Sequence, residues 1–157
     1  MNAPTKFSAA GQLAERLVVI GNGMAGCRAV EEILARDAGR YAITIFGAEP
    51  RVNYNRIMLS PVLAGEKSFD EIVINDAAWY ADNGITLVSG DPVMAIDRAA
   101  RQVVTRSGHV EPYDKLLIAT GSDPFIIPVP GAGLPGVVTK CGVGCASSGL
   151  GYGGFSR

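Results

Sequence analysis

Leu17-Val18-Val19-Ile20-Gly21-Asn22-Gly23-Met24-Ala25-Gly26 joins an unbroken apolar run to three glycines spaced G-x-G-x-x-G, and the reading of this stretch decides the fold. Four apolar residues in a row, 17–20, predict a strand buried on both faces, the signature of a parallel sheet. Downstream, Cys27, Val30, Ile33 and Leu34 recur at helical spacing while Arg28, Glu31, Glu32 and Arg36 point away, with Glu32 and Arg36 placed as an i,i+4 pair. The amphipathic helix this predicts over 25–36 is ended by Gly39, and Tyr41-Ala42-Ile43-Thr44-Ile45-Phe46 forms a second apolar strand. Residues 17–46 therefore make a βαβ unit of about 30 residues, with a right-handed crossover expected.

The glycine spacing has a chemical meaning in that setting. The first glycine, Gly21, permits a tight turn, the second, Gly23, lets backbone approach a pyrophosphate, and the third, Gly26, lets the helix pack close to its strand. The N–H groups of the helix start, at Met24 and Ala25, then face the anion. With 20 glycines in 157 residues, chance supplies roughly 0.3 such matches. Gly149-Leu150-Gly151-Tyr152-Gly153-Gly154 is a second match, yet no strand precedes it and only three residues follow. The first match alone has strand before, helix after and strand beyond, so it is taken as a nucleotide site rather than a glycine turn needed only for packing.

Further along, residues 47–68 hold Gly47, Pro50, Pro61 and Gly65 and read as a long excursion with at most one short helical turn, a length usually reserved for function. Asn75 or Asp76 caps a short helix over 77–82, stopped at Asn83-Gly84 before a strand at 85–88. Short β-prone pieces at 93–97, 102–105 and 109–113 predict an antiparallel meander inserted between parallel strands. Lys115-Leu116-Leu117-Ile118-Ala119 returns as a buried strand ending at Thr120-Gly121, after which Pro124, Pro128, Pro130 and Pro135 forbid regular helix. The fold class is thus α/β: a three-layer, Rossmann-like nucleotide-binding domain over 16–139, preceded by a tail at 1–15.

Composition excludes several functions. The 14 Lys and Arg against 15 Asp and Glu give a net charge of −1 and no basic block, which argues against nucleic acid as partner. No apolar run approaches a membrane span, and Cys27, Cys141 and Cys145 are too few for a disulfide framework, which fits a reducing cytoplasm. Cys141 and Cys145 lack the second Cys or His pair a metal site needs, so no metal is expected. Cys27 reads as a core residue, Trp79 and Tyr80 as a helix-to-sheet packing pair, and His109, the one histidine, as a solvated turn residue rather than a general base. No residue is singled out as catalytic. An acid near the end of the second strand should hold the ribose of the nucleotide; Gly47 occupies the expected place and Glu49 is the nearest acid, open also to the reading of an exposed loop carboxylate. Arg51 reads either as a phosphate ligand or as a solvated cation, and Tyr54 as a cofactor-stacking ring or a loop anchor.

Three stretches together, the segment 18–26, the loop Arg51-Val52-Asn53-Tyr54-Asn55-Arg56-Ile57-Met58-Leu59-Ser60 and Leu117-Ile118-Ala119-Thr120-Gly121-Ser122-Asp123-Pro124, resemble the pyridine nucleotide-disulfide oxidoreductase flavoproteins. Within that class, residues 15–139 look like the N-terminal FAD-binding segment of the assimilatory nitrite reductase large subunits. The resemblance implies that FAD is the cofactor, with its pyrophosphate on the first glycine loop, Thr120 and Gly121 closing over it, and Arg56 and Ser60 near the flavin. Ferredoxin and rubredoxin reductases resemble the segment too but usually carry Pro-Pro-Leu-Ser-Lys where this chain has Ile57-Met58-Leu59-Ser60-Pro61. The missing lysine favours the nitrite reductase branch.

In such proteins Val137-Val138-Thr139 would continue into a second glycine-rich unit for NAD(P)H. Here 140–157 contains six glycines, three serines and no acid. We expect this segment to be disordered, and to be an out-of-frame or otherwise non-native terminus on a truncated protein. NAD(P)H would then bind only if a second domain were supplied, and the chain alone would not reduce nitrite. The rival expectations are a ferredoxin or rubredoxin reductase-like flavoprotein and an inactive nucleotide-binding fragment.

Overall fold

In chain order the elements are β1 (Glu15–Ile20), α1 (Met24–Arg36), β2 (Tyr41–Gly47), β3 (Asn53–Tyr54), α2 (Leu59–Leu63), β4 (Val73–Asn75), α3 (Ala77–Asp82), β5 (Thr86–Ser89), β6 (Val93–Asp97), β7 (Gln102–Thr105), β8 (Val110–Pro112) and β9 (Lys115–Ile118), with 3-10 turns at Arg56–Met58 and Asp70–Ile72. The computed structural model describes residues 14–122, 128–131 and 134. Most of the expected N-terminal tail, the residues Asp123, Pro124 and Pro135, the stretch 137–139 and the 140–157 segment with Cys141 and Cys145 lie outside the described residues. Glu15, assigned to the tail from sequence, opens β1 and pairs with Tyr41.

The central sheet has the order β5-β2-β1-β9, and each neighbouring pair is parallel. Side chains alternate across it. Leu17, Val19, Ile43 and Ile45 face a core completed by Val30 of α1, Tyr80 of α3 and Ile85. Val18, Ile20 and Phe46 face the other way, against Val103 and Tyr113 from the meander. Val19, Val30, Ile45 and Val103 are fully buried, and each such side chain contributes about 1.5–3 kcal/mol relative to exposure. Both faces are covered, which is why β1 reads as a continuous apolar run instead of an alternating one. The three layers are therefore helices, parallel sheet and the antiparallel β6-β7-β8 meander.

Helix α1 begins and ends close to the expected points. Its outward face carries exposed ion pairs, Arg28 with Glu31 and with Glu32, and Arg36 with Glu32 at 3.8 Å; pairs of this kind contribute a few tenths of a kcal/mol each, about 0.3–0.5. The helix stops at Arg36, and Asp37 rather than Gly39 makes the cap, its N–H donating to the Ile33 carbonyl. Asp76 caps α3, its Oδ1 accepting from the Trp79 N–H at 2.8 Å.

The excursion is more structured than its composition suggested. The turn at Arg56–Met58 runs straight into α2, and Pro61 falls in the first turn of α2, where a missing N–H costs nothing. β3 pairs antiparallel with β4. Tyr54, Leu59 and Ile72 bury one another in a small core of their own, and this contact between segments about 20 residues apart, absent from any local pattern, is what orders the excursion. Among the described residues, no helix is long and apolar enough to cross a membrane.

The start of β1 is tied to the residue before β9. Arg16 donates from Nε and Nη2 to both carboxylate oxygens of Asp114 at 3.0 and 2.9 Å, its N–H donates to Oδ2 at 2.8 Å, and the Asp114 N–H returns to the Arg16 carbonyl at 2.9 Å. The side-chain and backbone donors of Arg16 hold the Asp114 carboxyl down at about 2, whereas the unfolded chain titrates it near about 4. The stabilisation is thus complete above about pH 4 and disappears as pH falls through about 2. With the two side chains 48% and 33% exposed, screening reduces it to about 1 kcal/mol. Asp114→Asn should lower the unfolding free energy by that amount at pH 7, and the gap between variant and parent in urea titrations should close between pH 4 and pH 2.

Candidate functional site

The C-terminal ends of β1, β2 and β9 converge on the glycine loop. The Gly21 N–H donates to the Phe46 carbonyl at 2.8 Å and the Ala119 N–H to the Ile20 carbonyl at 2.8 Å, so both ladders run one residue past the strands. Gly21 then turns with φ +115°, and a Cβ there would lie 2.2 Å from the Ala119 oxygen. A Cβ on Gly26 would lie 2.5 Å from the Gly21 oxygen. A Cβ on Gly23 would meet nothing within 4 Å. The first and third glycines are thus demanded by packing, and the middle one opens onto space.

That space is the start of α1. Gly23 is the N-cap and offers no side-chain hydrogen bond, and no acid occupies the first turn. The unpaired N–H groups and the positive end of the helix dipole are left available to an anion. They form the floor of a cleft of about 580 Å³. Gly21, Gly23, Met24 and Ala25 line the floor; Glu49, Arg51, Tyr54 and Arg56 form one wall; Thr120, Gly121 and Ser122 form the opposite wall; and Pro92 and Val93 supply an apolar end. Gly26 sits beneath the floor as a packing residue. Ser60 lies in α2, one turn beyond Arg56, and is not part of the cleft lining.

Glu49 is held in its wall by two donors, the Tyr54 hydroxyl at 2.7 Å and Arg56 Nη2 at 2.7 Å. It stands two residues past Gly47, where a Cβ would make a tight contact, 3.0 Å from the Cβ of Asn22. The Gly90 N–H donates to the carbonyls of Gly47 and Glu49 at 2.9 and 3.1 Å, which pins the loop after β2. Arg51 places its guanidinium 4.4 Å from the centre of the Phe69 ring while lining the cleft. Tyr54 is anchored in the loop, its ring against Phe69 and Arg56, and the residue also lines the cleft.

Sequence reasoning missed the side chains behind the loop. Asn22 Oδ1 accepts from the Tyr80 hydroxyl at 2.8 Å and from Cys27 Sγ at 3.3 Å, and its Nδ2 donates to the Arg51 carbonyl at 3.2 Å. The Tyr80 hydroxyl also accepts from the Asn53 N–H at 3.2 Å. Asn53, itself buried, donates from Nδ2 to Asn75 Oδ1 at 2.7 Å, and Asn75 passes on to Glu31 at 3.0 Å. Burial pushes the Tyr80 hydroxyl well above its ordinary value and raises the Cys27 thiol, so both stay protonated. The only available signal was a polar residue inside the glycine motif itself. His109 sits at the meander turn, half exposed, with Nε2 3.1 Å from Glu111, away from the cleft lining. Among the described residues, no three His, Cys, Asp or Glu side chains gather into a metal cluster.

Comparison with known proteins follows this geometry. The model of the pyridine nucleotide-disulphide oxidoreductase family matches residues 15–145. A nitrite reductase [NAD(P)H] of Bacillus subtilis is 50% identical over 123 residues, covering 78% of this chain and 15% of that protein. The assimilatory nitrate reductase electron transfer subunit of the same organism is 51% identical over 123 residues, covering 78% and 16%. Among solved structures, the NADH:rubredoxin oxidoreductase of Clostridium acetobutylicum superposes with a TM-score of 0.67 at 32% identity, covering 76% of this chain and 31% of that one. The chain thus spans about one sixth of the length of these two Bacillus relatives.

The glycines separate by experiment. Gly26→Ala forces a methyl onto the Gly21 carbonyl and should cost about 1–3 kcal/mol despite the better helix propensity of alanine. Gly23→Ala should leave stability within about 0.5 kcal/mol, because a poorer N-cap and a less flexible unfolded chain oppose each other. Thermal unfolding of the two variants side by side measures the difference.

Proposed function

The chain belongs to the pyridine nucleotide-disulphide oxidoreductase family, and we propose that it is the FAD-binding portion of an NAD(P)H-dependent oxidoreductase of the nitrite reductase kind. The observation that carries the reading is the open face at Gly23 above an uncapped helix start. A pyrophosphate needs backbone N–H groups, a positive dipole end and no Cβ in its way, and the floor of this cleft offers all three.

FAD is the cofactor of this family, and when bound it would supply two-electron and one-electron redox chemistry. The residues of this chain bind and orient it. Gly21, Gly23, Met24 and Ala25 hold the pyrophosphate, with Gly26 keeping the helix close to its strand. Glu49 takes the ribose hydroxyls: Tyr54 and Arg56 occupy two acceptor positions of its carboxylate, and about two of its four lone-pair sites remain. Arg56 also offsets the Glu49 charge, so the wall does not repel an anionic cofactor. Thr120 and Gly121 cover the cofactor from the β9 side, and Ser60 is assigned a place near the flavin by family resemblance alone.

The nitrite reductase branch is supported by 50% identity over 123 residues and by Pro61 standing where ferredoxin and rubredoxin reductases usually carry lysine. Reduction of nitrite, the use of NAD(P)H and operation in the cytoplasm are proposed for the longer protein that such relatives represent, since this chain spans 15% of the first of them. The folded unit we propose begins at Glu15, where β1 starts, and not at 16.

FAD titration of the purified 157-residue chain tests the reading. The flavin absorbance bands should travel with the protein through gel filtration, and Gly23→Ala should weaken binding by about tenfold, because its methyl group stands where the pyrophosphate approaches the backbone N–H groups. A chain with native circular dichroism that retains no flavin would overturn the proposal in favour of an inactive nucleotide-binding fragment.

A further inference from the structure

Asn22, inside the glycine loop and in the cleft lining, commits its side-chain amide to Tyr80, Cys27 and the Arg51 carbonyl. Its amide orientation is set on both sides: Nδ2 donates to the Arg51 carbonyl, so Oδ1 must face Tyr80 and Cys27. Tyr80 is 97% buried, 3% exposed, and its hydroxyl gives its one proton to Asn22 while taking the Asn53 N–H. One side-chain amide thereby ties the glycine loop to α1, to β3, to α3 and to the segment carrying Arg51. Tyr80 reaches it from 58 residues away.

We propose that Tyr80 is a positioning residue for the cofactor loop: its hydroxyl, through Asn22, holds the Gly21-Asn22-Gly23 backbone in the orientation that meets the pyrophosphate. This rests on the FAD reading of the cleft. A ring in this position has a packing role as well, edge-on to Trp79 with centroids 5.0 Å apart and planes at 88°, and Phe would fulfil it equally. The hydroxyl is the part that packing does not require. Removing it leaves the Asn53 N–H without its acceptor and leaves Asn22 Oδ1 with only the weaker thiol donor, so the loop gains freedom that binding must then remove.

The test uses the full chain and four variants: Tyr80→Phe, Asn22→Ala, the double variant, and Ile85→Val as a control in the same core cluster. Two readouts are taken, the FAD dissociation constant and amide hydrogen exchange over 21–25 without FAD. Tyr80→Phe should weaken FAD by about tenfold, the worth of a buried hydrogen bond, and speed exchange in the loop. The double variant should bind no more weakly than Asn22→Ala, because the two residues act as one unit. Ile85→Val should lower the unfolding midpoint and leave both readouts unchanged. The proposal is overturned if Ile85→Val moves affinity and exchange as much as Tyr80→Phe, or if the effects of the two site variants simply add. Should the parent chain bind no FAD, the cofactor reading falls by itself, while loop exchange still decides whether Tyr80 holds the loop.

Discussion

The structure depends on one close approach. Where β1 leaves the sheet, the backbone of Gly21 passes so near Ala119 that no Cβ fits, and Gly26 passes equally near Gly21. These contacts bring the first turn of α1 down onto the ends of β1 and β9, and they aim its N–H groups at the cleft rather than at bulk solvent. A side chain at either position would lift the helix and dissolve the floor of the site. The site is therefore a consequence of backbone packing before any functional side chain is considered.

Burial of the sheet on both faces is the second consequence. With helices on one side and the meander on the other, β1 and β2 have no solvent face, and successive residues such as Val18 and Val19 enter different cores. The crossing connections then place loops at the C-terminal ends of the parallel strands, the place where open α/β sheets bind ligands. Glu49 and Arg56 reach the cleft from the excursion after β2, and Thr120 reaches it from the segment after β9.

Much of this is legible in the residue order. The apolar run at 17–20, the 3.6-residue period of α1 and the three meander strands all rest on local spacing, and the structure places each close to where that spacing puts it, while of the two cap candidates, Asn75 and Asp76, it selects Asp76. The excursion at 47–68 behaves differently. Its order comes from Tyr54, Leu59 and Ile72 burying one another, and from a two-residue strand paired with another beyond residue 70. No window of sequence contains both halves of those contacts. Glu49 lies between the two cases: its approximate place follows from the end of β2, while the donors that hold it, Tyr54 and Arg56, are brought to it by the folding of the excursion.

The α/β class and the glycine loop were written in the residue order, because periodicity and glycine spacing are properties of neighbouring residues and need no knowledge of the rest of the chain; the family came from resemblance over three separate stretches, 18–26, 51–60 and 117–124. Tertiary structure alone decided which glycine opens onto the cleft, which donors hold Glu49, and why Asn22 has a partner in Tyr80. Each of those depends on atoms brought within about 3 Å from distant parts of the chain, and hydrogen-bond geometry at that range is fixed by packing.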